Sequence, residues 1–260
     1  PQHSPKLAEP NMAGLSYAGK PQFAFYNIDL ISERTVEEIQ EDIAYFKQLY
    51  PDRRFIGSIM AAGEDEWIEL VHRLEEAGAD MIECSMSCPQ GEHSIADEGK
   101  KASNAIPAAD RELMRTTTQT ILRARKKNTP VIVKMTPNVT DLVDVARGAV
   151  EGGADALCCI DTVRGFIGID LETGYPKLNV NGLSTWGGLS GPAVKPIALG
   201  CVSKLTKELD IPVAGVGGVS NWQDAAEFLL LGARNVQVCT AISRYGFGMV
   251  QSMQKGLLRY

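Results

Sequence analysis

No apolar run in this 260-residue chain is long enough for a helix to cross a bilayer, and residues 1–10 lack the apolar core of a secretory signal. Both absences predict a cytoplasmic protein with no membrane span. Lysine and arginine form no basic block and the net charge is -6, so the cations that hold nucleic acid or an anionic membrane are missing and small-molecule chemistry is left. Cysteine is sparse. Of Cys84, Cys88, Cys158, Cys159, Cys201 and Cys239, four lie in or beside strand-like runs, where a thiol packs as a small hydrophobe, so reduced thiols are expected. Cys84-x3-Cys88 is the nearest approach to a metal pattern, but no CxxC or Cys/His pair completes a ligand set, and no metal or cluster is expected in the chain. A Rossmann Gly-x-Gly-x-x-Gly is also lacking, so a nicotinamide cofactor is not expected to bind here directly.

From residue 55 onward, one unit repeats: a short β-rich apolar run, a polar or glycine-containing loop, and an amphipathic helix. The pattern predicts strands at 55–60, 81–86, 131–135, 156–160, 213–216 and 236–239. Helices are predicted at 36–49, 64–77, 110–126, 141–152, 194–209, 221–231 and 247–258, with start signals such as Thr140-Asp141 and Ser220-Asn221. Repeated βα units that close on themselves make a (β/α)8 TIM barrel, an α/β fold whose chemistry sits at the strand carboxyl ends. Only six barrel strands are found, and 23–30 reads as a loop or short hairpin. The expectation is one barrel domain over 1–260, incomplete in this chain, with strands 3–8 present and the first two units missing. Two long segments, 89–109 and 164–192, are expected as active-site loops.

Lys134 lies near the carboxyl end of the apolar run Val131-Ile-Val-Lys-Met135, where a lysine costs free energy unless it meets an anion or points into a polar cavity. It reads either as a cation facing a ligand at the barrel mouth or as a lysine whose amine snorkels to solvent. Gly215-Val-Gly-Gly-Val219 joins a strand to a helix, and Val238-Cys-Thr240 ends the next strand. Glycines let backbone amides approach an anion, so these adjacent units resemble a barrel phosphate site, although a tight βα turn needs the same residues. Ser190-Gly191-Pro192 is a third amide-rich helix start, which also fits a helix entry without any ligand.

Ser87-Cys88-Pro89, Lys134-Met-Thr-Pro-Asn138, Asp161-Thr162-Val163, Gly187-Gly-Leu-Ser-Gly191, Lys195-Pro196 and Gly217-Gly218 follow one another as in the FMN barrel of the dihydropyrimidine and dihydroorotate dehydrogenases, which the chain resembles over about residues 23–260. Trp222-Gln-Asp-Ala-Ala-Glu-Phe-Leu-Leu-Leu-Gly232 looks most like the bacterial form whose partner is a separate NAD-dependent flavoprotein. The resemblance implies an FMN-dependent oxidoreductase acting on a CH–CH bond of a pyrimidine or related cyclic amide. It implies that Lys134 contacts the flavin's pyrimidine side and that Gly191, Gly217, Gly218 and Thr240 hold its phosphate. Asn27, Asn138 and Thr162 would line the substrate and flavin pocket, together with Ser85 and Asp161. NAD(P) and iron–sulfur groups would then belong to missing segments or to an electron-transfer flavoprotein or iron–sulfur partner in an oligomer.

Two positions depart from the family pattern: Ser85 and Asp161 stand where asparagines are usual, and each change removes an amide donor. The loop cysteine of mammalian-type members has no counterpart in 89–109, where His93, Ser94, Lys100, Lys101 and Ser103 stand instead; His93 is the candidate proton donor because it titrates near neutrality. Two rival readings remain at this point. One makes Lys134 the Schiff-base nucleophile of a barrel lyase or aldolase. The other is an FMN-binding paralogue without turnover.

Overall fold

The structure is a computed structural model, which describes residues 12–17, 20–28, 32, 34–61, 63–86, 108, 110–179 and 184–260. Six strands form one parallel sheet: β3 (Ile56–Ile59), β4 (Met81–Ser85), β5 (Val131–Met135), β6 (Ala156–Cys159), β9 (Val213–Val216) and β10 (Asn235–Gln237), in the spatial order β10-β9-β6-β5-β4-β3. These are the six runs expected from the sequence, although β10 stops at Gln237 and Thr240 opens a short helix, α7 (Thr240–Tyr245), that the pattern did not announce. The longer crossover helices are α2 (Glu64–Ala77), α3 (Arg111–Ala124), α4 (Leu142–Gly152), α5 (Lys195–Glu208) and α6 (Trp222–Leu230), preceded by α1 (Val36–Leu49) and followed by α8 (Gly248–Leu257).

Local chemistry sets these boundaries. Thr35 and Glu38 close a capping box at α1, while Asp110, Asp141 and Asn221 each accept a backbone N–H three residues on, at the starts of α3, α4 and α6. Alternation within the strands then divides the sheet's two faces. Ile82, Cys84, Val131, Val133, Met135, Leu157, Cys159 and Val213 face the helices and join Val71, Leu74, Met114, Ile121, Val145, Val202, Leu205 and Phe228 in the main core. The other face carries a smaller apolar patch of Ile132, Cys158 and Ala214, with Met81, Ala156 and Val216 against it.

That second face is concave. Glu83 on β4 and Gln237 on β10 lie four strand positions apart. In a flat sheet this separation is roughly 19 Å. An extended glutamate, an extended glutamine and their hydrogen bond reach roughly 13 Å at ordinary bond lengths. Gln237 Nε2 nevertheless donates to Glu83 Oε2 at 2.7 Å, so the sheet curls until its two sides meet through their side chains. The fold is therefore α/β with a curled parallel sheet, a half-barrel whose open edges among the described residues are β3 and β10.

A second, antiparallel sheet has the order β1-β2-β8-β7, from β1 (Met12–Tyr17), β2 (Lys20–Asn27), β7 (Val163–Gly165) and β8 (Gly187–Ser190). The expectation of a loop or short hairpin at 23–30 is corrected: residues 23–27 lie within the single strand β2, which is one arm of a hairpin with β1 that begins at Met12. The segment 164–192, expected as a loop, is corrected in part: both its ends are strands of this sheet. Tyr26 locks the arrangement. It is buried, and its hydroxyl accepts from the Gly187 N–H at 2.6 Å and donates to the Gly165 carbonyl at 2.9 Å. The other expected loop, 89–109, lies outside the described residues except for Ala108, which is buried against the main core.

Candidate functional site at the strand carboxyl ends

Lys134 points into the concave face from β5. Its ammonium donates to Glu83 Oε1 at 3.0 Å, and the two side chains are only 20% and 6% exposed. Register explains the meeting: Ser85, Lys134, Cys158 and Ala214 are aligned across β4, β5, β6 and β9, with Glu83 one inward-facing step behind Ser85. Burial alone would lower the Lys134 pKa, but the anions around it, Cys158 once ionised and Glu83 and Asp161 already near neutral pH, outweigh burial and raise the value above that of an ordinary lysine. Burial likewise works to raise Glu83, and Lys134 with Gln237 overrides it, leaving the carboxyl below its usual value. The pair is an ion pair across neutral pH. A Schiff-base nucleophile needs a free amine and hence a lowered pKa, so this environment opposes the lyase reading of Lys134.

Glu83 was not among the residues singled out from sequence. The signal was present: an acid in the middle of Met81-Ile-Glu-Cys-Ser85, on the same strand face as Ser85 and one strand away from the apolar-run lysine.

The residues matched to the substrate pocket converge beside this pair. Ser85 Oγ donates to Asp161 Oδ2 at 3.3 Å, and Asp161 Oδ1 accepts from the Thr162 N–H at 2.8 Å. Asn138 spends its amide within the protein: Nδ2 donates to Thr136 Oγ1 at 2.9 Å and to the Thr162 carbonyl at 3.0 Å, while Oδ1 accepts from the Arg164 N–H at 2.9 Å. Asn138 thus braces the segment that carries Asp161 and Thr162. Asn27 ends β2 opposite Gly188, and a Cβ at Gly188 would sit 2.4 Å from Thr162 Oγ1, so a glycine there lets the antiparallel sheet close onto the barrel strand ends. Arg164 stacks over the half-exposed Trp186 at 5.9 Å to form part of the rim. Ser87, Cys88 and Pro89, and the candidate His93 with Ser94, Lys100, Lys101 and Ser103, lie outside the described residues.

The glycines form a second cluster at the same end. Gly191, Gly217 and Gly218 have φ of 83°, 130° and 77°, a region L side chains rarely adopt, and a Cβ on Gly218 would lie 2.9 Å from the Gly191 carbonyl. Thr240 Oγ1 donates to Ser190 Oγ at 3.0 Å, joining the start of α7 to the end of β8. The result is a narrow cradle of backbone and hydroxyl groups, a donor set suited to a phosphate. Lys195, the cation beside it, is turned away: its ammonium binds Asp224 at 2.6 Å and Glu227 at 2.7 Å. A bound phosphate would therefore be held mainly by main chain and hydroxyls. A ligand anchored there and extending toward Lys134 would have its anionic group on glycines and a fixed ammonium at its other end, which fits FMN.

Among the described residues, Cys84, Cys158, Cys159, Cys201 and Cys239 are free and no group of His, Cys, Asp or Glu is arranged to hold a metal. No described helix is long and apolar enough to cross a membrane.

Comparison with known proteins gives the same picture. The dihydroorotate dehydrogenase family model matches residues 27–260. The NAD-dependent dihydropyrimidine dehydrogenase subunit PreA of Escherichia coli (strain K12) is 41% identical over 240 residues, covering 91% of this chain and 56% of that protein. The chloroplastic dihydropyrimidine dehydrogenase (NADP(+)) of Arabidopsis thaliana is 35% identical over 257 residues, covering 96% and 58% respectively. The dihydroorotate dehydrogenase B (NAD(+)) catalytic subunit of Methanocella arvoryzae is 42% identical over 205 residues, covering 79% and 62%. The chain thus spans little more than half the length of these relatives. On the family match and these identities, the chain belongs to the dihydroorotate dehydrogenase family.

Proposed function

We propose that this chain is the FMN-binding barrel of an oxidoreductase that acts on a CH–CH bond of a pyrimidine or related cyclic amide. The observation that carries the reading is the pairing of two features at one end of the curled sheet: the buried Lys134 ammonium on the concave face, and the cradle of Ser190, Gly191, Gly217, Gly218 and Thr240. In this reading the cradle binds the FMN phosphate, and Lys134 faces the part of the flavin where negative charge gathers on reduction. When bound, FMN supplies hydride exchange with a carbon of the substrate's double bond. The chain's own part is electrostatic and positional. Lys134 holds a full positive charge through neutral pH, Asn138 fixes the Asp161–Thr162 segment, and Asn27, Thr162, Ser85 and Asp161 present hydroxyl, amide and carboxylate groups to a polar ring edge. The proton that accompanies the hydride is exchanged with the segment 89–109, where His93 is the proposed donor or acceptor.

Two further βα units, supplied by other parts of the polypeptide, complete the barrel along β3 and β10, whose open edges call for pairing. The segment 164–192, whose ends form β7 and β8, serves as a cover of the site. NAD(P) and iron–sulfur groups act from other segments or a partner subunit in an oligomer; a partner subunit agrees with relatives that are a subunit of an NAD-dependent enzyme and a catalytic subunit. Free buried thiols agree with a cytoplasmic setting.

The test is to purify the full-length protein anaerobically and record its absorption before and after denaturation, beside Lys134→Ala. Released FMN in wild type, with loss of binding or of reducibility in the variant, is the expected result. Folded protein that carries no flavin and cannot be reconstituted with FMN overturns the proposal.

A further inference from the structure

The concave face contains a buried carboxylate that the proposed chemistry does not itself require. Glu83 stands in the middle of β4, nearly inaccessible, and binds two partners from opposite sides of the curled sheet: the Lys134 ammonium at 3.0 Å and the Gln237 amide at 2.7 Å. Burying a carboxylate is costly unless it is paired and hydrogen-bonded, and here both oxygens are engaged. A core that needed only filling would have been served by an apolar residue, as the neighbouring Ile132 and Ala214 show. The geometry also ties β5 to β10, so the position of the Lys134 head group depends on a strand four places away from β4.

We propose that Glu83, anchored by Gln237, is a positioning residue for Lys134: it fixes the ammonium on the concave face and keeps it charged throughout the working pH range. The consequence for the flavin rests on the reading that Lys134 faces FMN; the consequence for the lysine does not. Among the described residues, charged or titratable groups facing Lys134 include Glu83 from β4, Cys158 from β6 and Asp161 beyond it, and Gln237 from β10 holds Glu83 through a neutral amide. Burial holds Cys158 well above the ordinary thiol value, so it remains a neutral thiol near pH 7. Glu83 and Asp161 are thus the anions that keep the lysine protonated. Glu83 touches it directly.

Removing the Glu83 charge leaves a buried ammonium with less compensation, and its pKa must fall. The first measurement uses full-length protein without added flavin: the rate at which acetic anhydride modifies Lys134, followed by peptide mass spectrometry from pH 6 to 10 and normalised to the exposed Lys255. Only the free amine reacts. Glu83→Gln should raise the Lys134 rate at pH 8.5 by about tenfold or more, the factor for one unit of pKa. Glu83→Asp, which keeps the charge but draws it back, should fall between the variant and wild type. Coincident wild-type and Glu83→Gln rates overturn the proposal, as does Glu83→Asp reacting as fast as Glu83→Gln, which would mean that access and not charge protects the amine. If Glu83→Gln does not fold, Glu83→Asp decides alone: its rate must rise at lower pH than that of wild type, and superimposed profiles overturn the proposal.

The second measurement is the midpoint potential of bound FMN against pH. Wild type should show no break from Lys134 between pH 6 and 9, whereas Glu83→Gln should gain one where the lysine titrates. Superimposed profiles in flavin-loaded protein overturn the proposal. Protein that binds no FMN defeats the functional reading alone, because the acylation rates are read without it.

Discussion

Ser85 on β4 and Asp161 beyond β6 are hydrogen-bonded to each other at 3.3 Å, so the two positions that leave the family's asparagine pattern leave it together. A carboxylate only accepts, and its Oδ1 already takes the Thr162 N–H. A ligand edge facing Asp161 must therefore bring hydrogen-bond donors. Restoring both amides with Ser85→Asn and Asp161→Asn should tighten binding of a cyclic imide such as uracil by about tenfold or more, since unpaired buried polar groups are what discriminate strongly between ligands. Titration followed by the flavin spectrum measures this. Unchanged affinity would show that these side chains do not meet the ligand.

Asp80 gives a pH prediction at the other end of the sheet, just before β4 begins. It accepts from Lys47 at 2.7 Å, Arg54 at 3.0 Å and the Phe55 N–H at 2.7 Å. Burial pushes its pKa up, but Lys47, the Phe55 amide and Arg54 prevail and bring it down to about 2. A carboxylate depressed in the folded state adds stability above its unfolded pKa and loses it as pH falls through the folded value. The stability gap between wild type and Asp80→Asn should be about 2 kcal/mol at pH 7 and roughly half that by pH 3, if the unfolded value is the ordinary one. Urea unfolding at the two pH values checks it, and a gap independent of pH would contradict the assignment.

Much of the barrel was legible because its strands are apolar runs bounded by glycine, aspartate and asparagine signals. Asp141 and Asn221 cap helices where the sequence placed helix starts. The antiparallel sheet was not legible. β8 is Gly-Gly-Leu-Ser, which carries no β-branched residue, and its partner at Asn27 lies far away in the sequence, so neither propensity nor local pattern marks it. The site shows the same division. Lys134 could be found as a cation in an apolar run, whereas the union of Glu83 with Gln237 exists only through the curl of the sheet.

Two glycines separate the cradle from ordinary helix chemistry. Gly218→Ala places a Cβ 2.8 Å from Lys195 Cβ and 2.9 Å from the Gly191 carbonyl, at a φ of 77°. A loss of about 1–3 kcal/mol is expected, with weakened FMN binding. Gly200→Ala, on α5, meets nothing within 4 Å and should stabilise the protein by about 0.5–1 kcal/mol with flavin affinity unchanged. Thermal unfolding and flavin titration on both variants test the contrast. Equal effects on flavin affinity would count against the cradle.

Tyr26 tests the junction between the two sheets. Its hydroxyl is the acceptor for the Gly187 N–H and a donor to the Gly165 carbonyl, and this sets β2 against β8 so that Asn27 faces Gly188 and, beyond it, Thr162. Tyr26→Phe keeps the ring and removes only the hydroxyl, leaving a buried N–H without its partner at a cost of about 1–3 kcal/mol. Part of that cost should be local. Hydrogen exchange at the Gly187 amide should accelerate by more than the change in global stability accounts for, because the β2–β8 pairing can open while the parallel sheet stays folded. If Gly187 exchange instead follows global unfolding alone, the antiparallel sheet and the half-barrel open as one unit, and the support beneath Asn27 is as rigid as the strands that carry Lys134.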